Sequence, residues 1–126
     1  MKKLIFIILC IFITKSFTQS VAITSPEEDA TLTIPAGHTT RDIEVEWVYT
    51  VPQGTQSHHF ELKTDVGNFY IQGPAYSKNV EDVPYGSKNW ELELHYYDSD
   101  WVLHVIEDYV SFEIVLKSLL SDSSLG

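Results

Sequence analysis

From residue 21 onward, apolar and polar side chains alternate with a period of two over much of the chain. A β-strand sends successive side chains to opposite faces, so this period predicts strands with one buried and one wet face. The clearest runs are Ile43-Glu44-Val45-Glu46-Trp47-Val48-Tyr49 and Trp90-Glu91-Leu92-Glu93-Leu94-His95-Tyr96. In the first, Ile43, Val45, Trp47 and Tyr49 share a face opposite Glu44 and Glu46. In the second, Trp90, Leu92, Leu94 and Tyr96 point one way, and Glu91, Glu93 and His95 point the other. Weaker runs predict further strands at Val21–Thr24, Ala30–Ile34, His58–Leu62, Phe69–Ile71, around Tyr76–Val83, and at Tyr109–Val115 with Val110, Phe112 and Ile114 inward.

Turn residues punctuate these runs: Ser25-Pro26-Glu27-Glu28-Asp29, Pro35-Ala36-Gly37, Pro52-Gln53-Gly54, Asp65-Val66-Gly67, Gly73-Pro74 and Pro84-Tyr85-Gly86. Beyond the first twenty residues no stretch of ten or more carries a helical stripe. Seven or eight short strands, spaced by roughly 8–12 residues with Gly/Pro turns, predict an all-β antiparallel sandwich over residues 21–116. Residues 117–126 hold four serines and no strand pattern, and are expected to form a flexible C-terminal tail.

The first twenty residues follow a different rule. Lys2 and Lys3 precede an uncharged run from Leu4 to Thr14, and small residues stand at Thr18 and Ser20. This is the pattern of a secretory signal peptide over residues 1–20, cut between Ser20 and Val21. Spanning a bilayer takes about 20 apolar residues, so the run is too short for a membrane anchor, and no span is expected after cleavage. Localisation is therefore expected to be secreted, extracellular or at the cell surface.

That expectation changes the charge arithmetic. The 126-residue chain holds 8 Lys+Arg against 18 Asp+Glu, net -10. Removing Lys2, Lys3 and Lys15 leaves 106 residues with 5 basic and 18 acidic groups, net -13, and removes Cys10, the only cysteine. Such a domain rests on its core without disulfides. Its acidity excludes nucleic acid as the main partner, since phosphates call for Lys and Arg.

Several segments carry a resemblance. Ile23-Thr24-Ser25-Pro26 followed by Ile43-Glu44-Val45-Glu46-Trp47 resembles the opening strands of immunoglobulin-like and fibronectin type III-like modules, with a core Trp on the second strand. Val83-Pro84-Tyr85-Gly86 with Trp90-Glu91-Leu92-Glu93-Leu94 resembles their E–F corner and F strand. Asp98 and Val110-Ser111-Phe112-Glu113-Ile114-Val115 resemble the F–G turn and last strand of bacterial secreted Ig-like domains. Trp90 stands where these modules carry a corner tyrosine, and the paired cysteines of antibody domains are missing. A more distant resemblance in the Ser-Pro and core-Trp pattern is to N-terminal domains of the fungal cell-wall-synthesis family. The resemblance implies a scaffold, and this scaffold hosts many unrelated sites.

Four constellations could carry chemistry. If the His58–Leu62 and Trp90–Tyr96 strands are neighbours, His59, Glu61, Glu93 and His95 share an outer face and offer the nitrogen and oxygen donors zinc takes, although an ordinary wet sheet face has the same composition. Asp98-Ser99-Asp100, with Glu107 and Asp108 beyond and Glu27-Glu28-Asp29 elsewhere, offers hard oxygens for calcium, or simply turns capped by their own side chains. Glu44/Glu46 and Glu91/Glu93 lie about 7 Å apart along their strands, a spacing compatible with glycoside hydrolysis if a closed cleft raised one pKa. Tyr70, Tyr76, Tyr85, Tyr97 and Trp101 fall at loops or outer faces, and Tyr70, Tyr97 and Trp101 are the candidate ligand-binding aromatics. No nucleophile elbow, phosphate loop or dinucleotide fingerprint is present.

These features predict a non-catalytic recognition or adhesion module whose partner is an extracellular protein or carbohydrate. The alternative is a small metal-binding protein or hydrolase built on the His/Glu cluster. No cofactor is required by the first reading; zinc or calcium would serve the second. Nothing in the pattern specifies an oligomeric state.

Overall fold

The alternating runs become strands because each has one apolar face to bury and one polar face to leave in water. The computed structural model describes residues 19–117; the expectations of a signal peptide and a C-terminal tail fall mostly on residues 1–18 and 118–126, which lie outside the described residues. Eight strands follow in order: β1 (Ser20–Ser25), β2 (Ala30–Ile34), β3 (Thr40–Thr50), β4 (Ser57–Thr64), β5 (Gly67–Gln72), β6 (Ser77–Pro84), β7 (Gly86–Tyr97) and β8 (Leu103–Leu116). They build a three-stranded sheet, β1-β3-β6, facing a five-stranded sheet, β2-β8-β7-β4-β5. Among the described residues no helix is long and apolar enough to cross a membrane.

The core lies between the sheets and uses the inward faces foreseen from the period. Ile43, Val45 and Trp47 of β3 and Val80 and Val83 of β6 meet Phe60 and Leu62 of β4 and Trp90, Leu92, Leu94 and Tyr96 of β7. Val110, Phe112 and Ile114 of β8 and Ile34 of β2 complete it. Trp47 packs on Phe60 with ring centroids 5.2 Å apart, and Trp90 meets Phe112 edge-on at 5.0 Å. Every fully buried Val, Leu or Ile side chain is worth about 1.5–3 kcal/mol, so this layer supplies the drive that disulfides would otherwise supplement.

Three details depart from the expectations. Pairing is antiparallel except between β2 and β8, which run parallel from Ala30↔Phe112 to Ile34↔Leu116. The turn after Ser25 moves the chain from one sheet to the other without reversing it. Val80 and Val83 are both buried despite an odd spacing, which a regular strand forbids. A bulge resolves the conflict: Asp82 adopts φ 57°, its N–H donates to Asp42 Oδ1 at 3.2 Å, and the register shifts between Arg41 and Ile43. The last strand also begins at Leu103 rather than Tyr109. Its first half inverts the usual pattern, with Leu103 and Val105 exposed while His104 and Asp108 are half-buried. The His104 ring stacks on Tyr96 at 4.9 Å, and Asp108 Oδ2 accepts the Ile23 N–H at 2.8 Å.

Trp90 does not reproduce a corner tyrosine. Its indole N–H donates to Asp65 Oδ1 at 2.7 Å, while the buried Lys88 ammonium reaches Asp65 Oδ2 at 2.6 Å. Asp65 therefore ties the β4–β5 turn to β7. Burial raises its pKa, but the bonds from Lys88 and Trp90 outweigh that effect and hold it below the usual carboxylate range. The Trp47 indole N–H, by contrast, is buried without an acceptor among the described residues.

Candidate functional site

The outward face of the five-stranded sheet is where register turns separate sequence candidates into one surface. Strands β5, β4, β7 and β8 lie side by side, and their pairing lines up three rows across them. One row reads Gln72, His59, His95, Val105. The next reads Tyr70, Glu61, Glu93, Glu107. The third reads Asn68, Lys63, Glu91, Tyr109. His59 and Glu61 of β4 are thus brought into direct opposition with His95 and Glu93 of β7, as the alternation predicts.

Their side chains form a connected network. His59 Nε2 lies 3.1 Å from Glu61 Oε2, and His95 Nε2 lies 3.3 Å from the same oxygen and 2.9 Å from Glu93 Oε1. Lys63 Nζ donates to Glu93 Oε2 at 3.0 Å. The two imidazoles stack at 4.6 Å with 22° between planes, and Tyr70 stacks on His59 at 4.4 Å and 23°. Tyr70 thus joins the His/Glu cluster. Burial raises the pKa of Glu93, but bonds from His95 and Lys63 prevail and lower it. Glu91, two residues earlier, moves the other way: desolvation and the neighbouring Glu107 raise its pKa.

Glu107, Tyr109 and Lys63 belong to this face and were not among the sequence candidates for it. Glu107 and Asp108 were grouped with the loop acids, but both lie in β8, where Glu107 faces outward beside Glu93 and Asp108 holds the Ile23 N–H. Recognising them requires knowing that β8 starts at Leu103. The three-donor groups whose ligand atoms lie within 4.8 Å of one another, among the described residues, are His59–Glu61–His95 and Glu91–Glu93–Glu107. Asp98 and Asp100 belong to neither.

The β7–β8 loop explains what Asp98 does instead. Asp98 Oδ1 accepts the N–H groups of Asp100 and Val102 at 2.8 and 3.0 Å, and Oδ2 contacts His104 Nε2 at 2.8 Å. The His104 bond, followed by the backbone bonds, lowers the Asp98 pKa. Two backbone bonds close the loop, Asp98 N–H to Val102 O at 3.0 Å and Trp101 N–H to Asp98 O at 2.9 Å. Trp101 adopts φ 62° with its side chain 62% exposed, and its ring lies 6.0 Å from that of Tyr97. Val102, Leu103 and Val105 are exposed next to it.

The remaining candidates do not gather. Tyr76 and Tyr85 are exposed at separate connections, and Tyr76 leans on Tyr49 at 5.2 Å. Glu28 is engaged in structure, its Oε1 accepting the Ser111 N–H at 2.7 Å. Glu44 and Glu46 stand exposed on the other sheet. A groove of about 490 Å³ runs beside β2 between Asp29–Thr31, Ser87–Asn89 and Ser111–Glu113, open along its length and remote in register from the His/Glu rows.

No family model matches the sequence, and no curated protein matches it. Solved structures do. A fibronectin(III)-like module of Clostridium thermocellum CbhA superimposes with a TM-score of 0.57 at 17% identity, covering 79% of this chain and 100% of that one. The fold is that of a fibronectin III-like sandwich. Murine CRIg is more distant, with a TM-score of 0.41 at 9% identity over 79% of this chain and 99% of that one.

Proposed function

We propose that this chain is a secreted or cell-surface recognition module whose partner, a protein or a glycan, is held at the loop end where exposed Trp101 stands beside half-buried Tyr97. The signal-like first twenty residues support an extracellular address. The observation that carries the reading is Trp101. A short hairpin loop that needs one left-handed residue ordinarily takes glycine there, and a bulky side chain at positive φ costs about 1–2 kcal/mol. Here a tryptophan occupies φ 62°, strapped by Asp98 on both sides, with its indole in solvent. Strain of this kind persists where the presented side chain has a use, and tryptophan contributes heavily to binding when its partner desolvates it. Tyr70, the third candidate aromatic, is exposed on β5 but stacks on His59 in the sheet face, apart from this end.

The test is Trp101→Gly, assayed against arrays of glycans and extracellular proteins together with a denaturant melt. Relief of strain is expected to hold or raise stability by about 1 kcal/mol. Affinity for the partner is expected to fall at least about tenfold, or 1.4 kcal/mol. Unchanged binding in a well-folded variant would refute the role of Trp101. Turnover of a polysaccharide or peptide by the wild-type chain would overturn the recognition reading itself.

A further inference from the structure

We propose that His59, Glu61 and His95 form a binding site for a first-row divalent cation of the zinc class, with water completing its shell. The site stands independently of the Trp101 surface. His59 and His95 are directly opposed across β4 and β7, and stacking of Tyr70 on His59 and of His59 on His95 fixes both ring planes. Both Nε2 atoms converge on a single oxygen, Glu61 Oε2, at 3.1 and 3.3 Å.

Those separations match a coordination polyhedron. Zinc binds imidazole nitrogen and carboxylate oxygen at about 2.0–2.1 Å, so the edges of its tetrahedron are about 3.3 Å. A small displacement of Glu61 outward, where its side chain is 37% exposed, would let an ion enter between the three donors. Glu93 Oε1 bonds His95 Nε2 at 2.9 Å but groups with Glu91 and Glu107 rather than with the three donors, so water would complete the shell. The imidazoles are only 18% and 15% exposed, so little rotamer freedom remains to be lost on binding. The rows around them hold Glu91 and Glu107 against the single cation Lys63, a local field that favours a positive guest. Two imidazoles with carboxylates select zinc and its neighbours over calcium and magnesium, which take all-oxygen shells.

The experiment titrates the untagged full chain with Zn²⁺, and separately with Co²⁺ and Ca²⁺, by calorimetry and thermal melting. One equivalent of Zn²⁺ with a rise in Tm, and an intense visible Co²⁺ band of tetrahedral type, are expected from the wild-type chain. His59→Ala and His95→Ala should each weaken Zn²⁺ binding at least tenfold, and Glu61→Gln should weaken it less. His104→Ala, at the hairpin end, should leave it unchanged, and circular dichroism verifies that each variant keeps its sheets. Absence of stoichiometric Zn²⁺ binding would overturn the proposal. So would equal affinity for Ca²⁺, or retention of Zn²⁺ by a folded variant carrying both His→Ala changes.

Discussion

Strands β3 and β7 share one alternating pattern, Ile43-Glu44-Val45-Glu46-Trp47 against Trp90-Glu91-Leu92-Glu93-Leu94, yet their outer faces differ in chemistry. On β3, Glu44 pairs with Asn79, and Glu46 lies between Ser25 and Ser77, with neutral neighbours across both strand boundaries. On β7, Glu91 lies between Lys63 and Tyr109, and Glu93 lies between Glu61 and Glu107. The same local pattern is a solvated surface in one sheet and a coupled ionic network in the other. Sheet order decides which, because cross-strand neighbours supply the partners.

The comparison extends inward, and the largest expected effect is there. Trp90 and Lys88 are tied to Asp65, whereas the Trp47 indole N–H meets no acceptor among the described residues. Asp65→Ala would leave a buried ammonium and an indole N–H unpaired. Losing one partner of a fully buried pair costs about 3–5 kcal/mol; with Asp65 44% exposed, we expect about 2 kcal/mol by urea unfolding. The pH profile should change with it. The folded pKa of Asp65 is depressed, so its stabilisation is complete above the ordinary carboxylate range and is lost as pH falls through the lower folded value. Wild type should therefore lose more stability than Asp65→Ala between neutral pH and that acidic window. Equal acid sensitivity would mean that other carboxylates carry it.

The next effect separates two glutamates on one strand. Glu93→Gln should cost about 1 kcal/mol, since it removes the charge that meets His95 and Lys63. Glu91→Gln should instead stabilise by a few tenths of a kcal/mol near neutral pH, because it removes a charge that is desolvated and crowded by Glu107 and Glu93. Carboxyl NMR titration should show the same opposition, Glu93 titrating below the ordinary glutamate value and Glu91 above it. Both shifting in one direction would break the picture of a divided network. The smallest effect belongs to β3: Glu46→Gln should change stability by less than about 0.5 kcal/mol in either direction.

Much of the fold was legible because burial imposes a period of two. The inward faces of β3, β4 and β7 follow from alternation alone, and Trp47, Trp90 and Tyr96 are buried as that pattern requires. Alternation misleads where a polar group is used inward. His104 stacks on Tyr96 and Asp108 holds a β1 amide, so the first half of β8 has no readable wet face. The bulge at Asp82 likewise breaks parity in β6. The His/Glu cluster was legible as a face, since β4 and β7 each carry a polar residue at the right alternate positions. Its connectivity was not, because a one-residue slip of β4 against β7 would turn His59 and Glu61 to the other face, away from Glu93 and His95. Tyr109 and Glu107 entered the face only once the extent of β8 was known.

The parallel pairing of β2 with β8 has a consequence for how this module would bear load. Force applied between the segment entering β2 and the segment leaving β8 pulls two parallel neighbours in opposite directions along their length. Their hydrogen bonds, from Ala30↔Phe112 to Ile34↔Leu116, are then strained together in shear instead of opening one after another like a zip. The five-residue β2 acts as a clasp, and the Lys117 N–H to Ile34 O bond at 3.0 Å lengthens it by one rung. Tension along this axis would meet more resistance than tension that peels β5 from its edge.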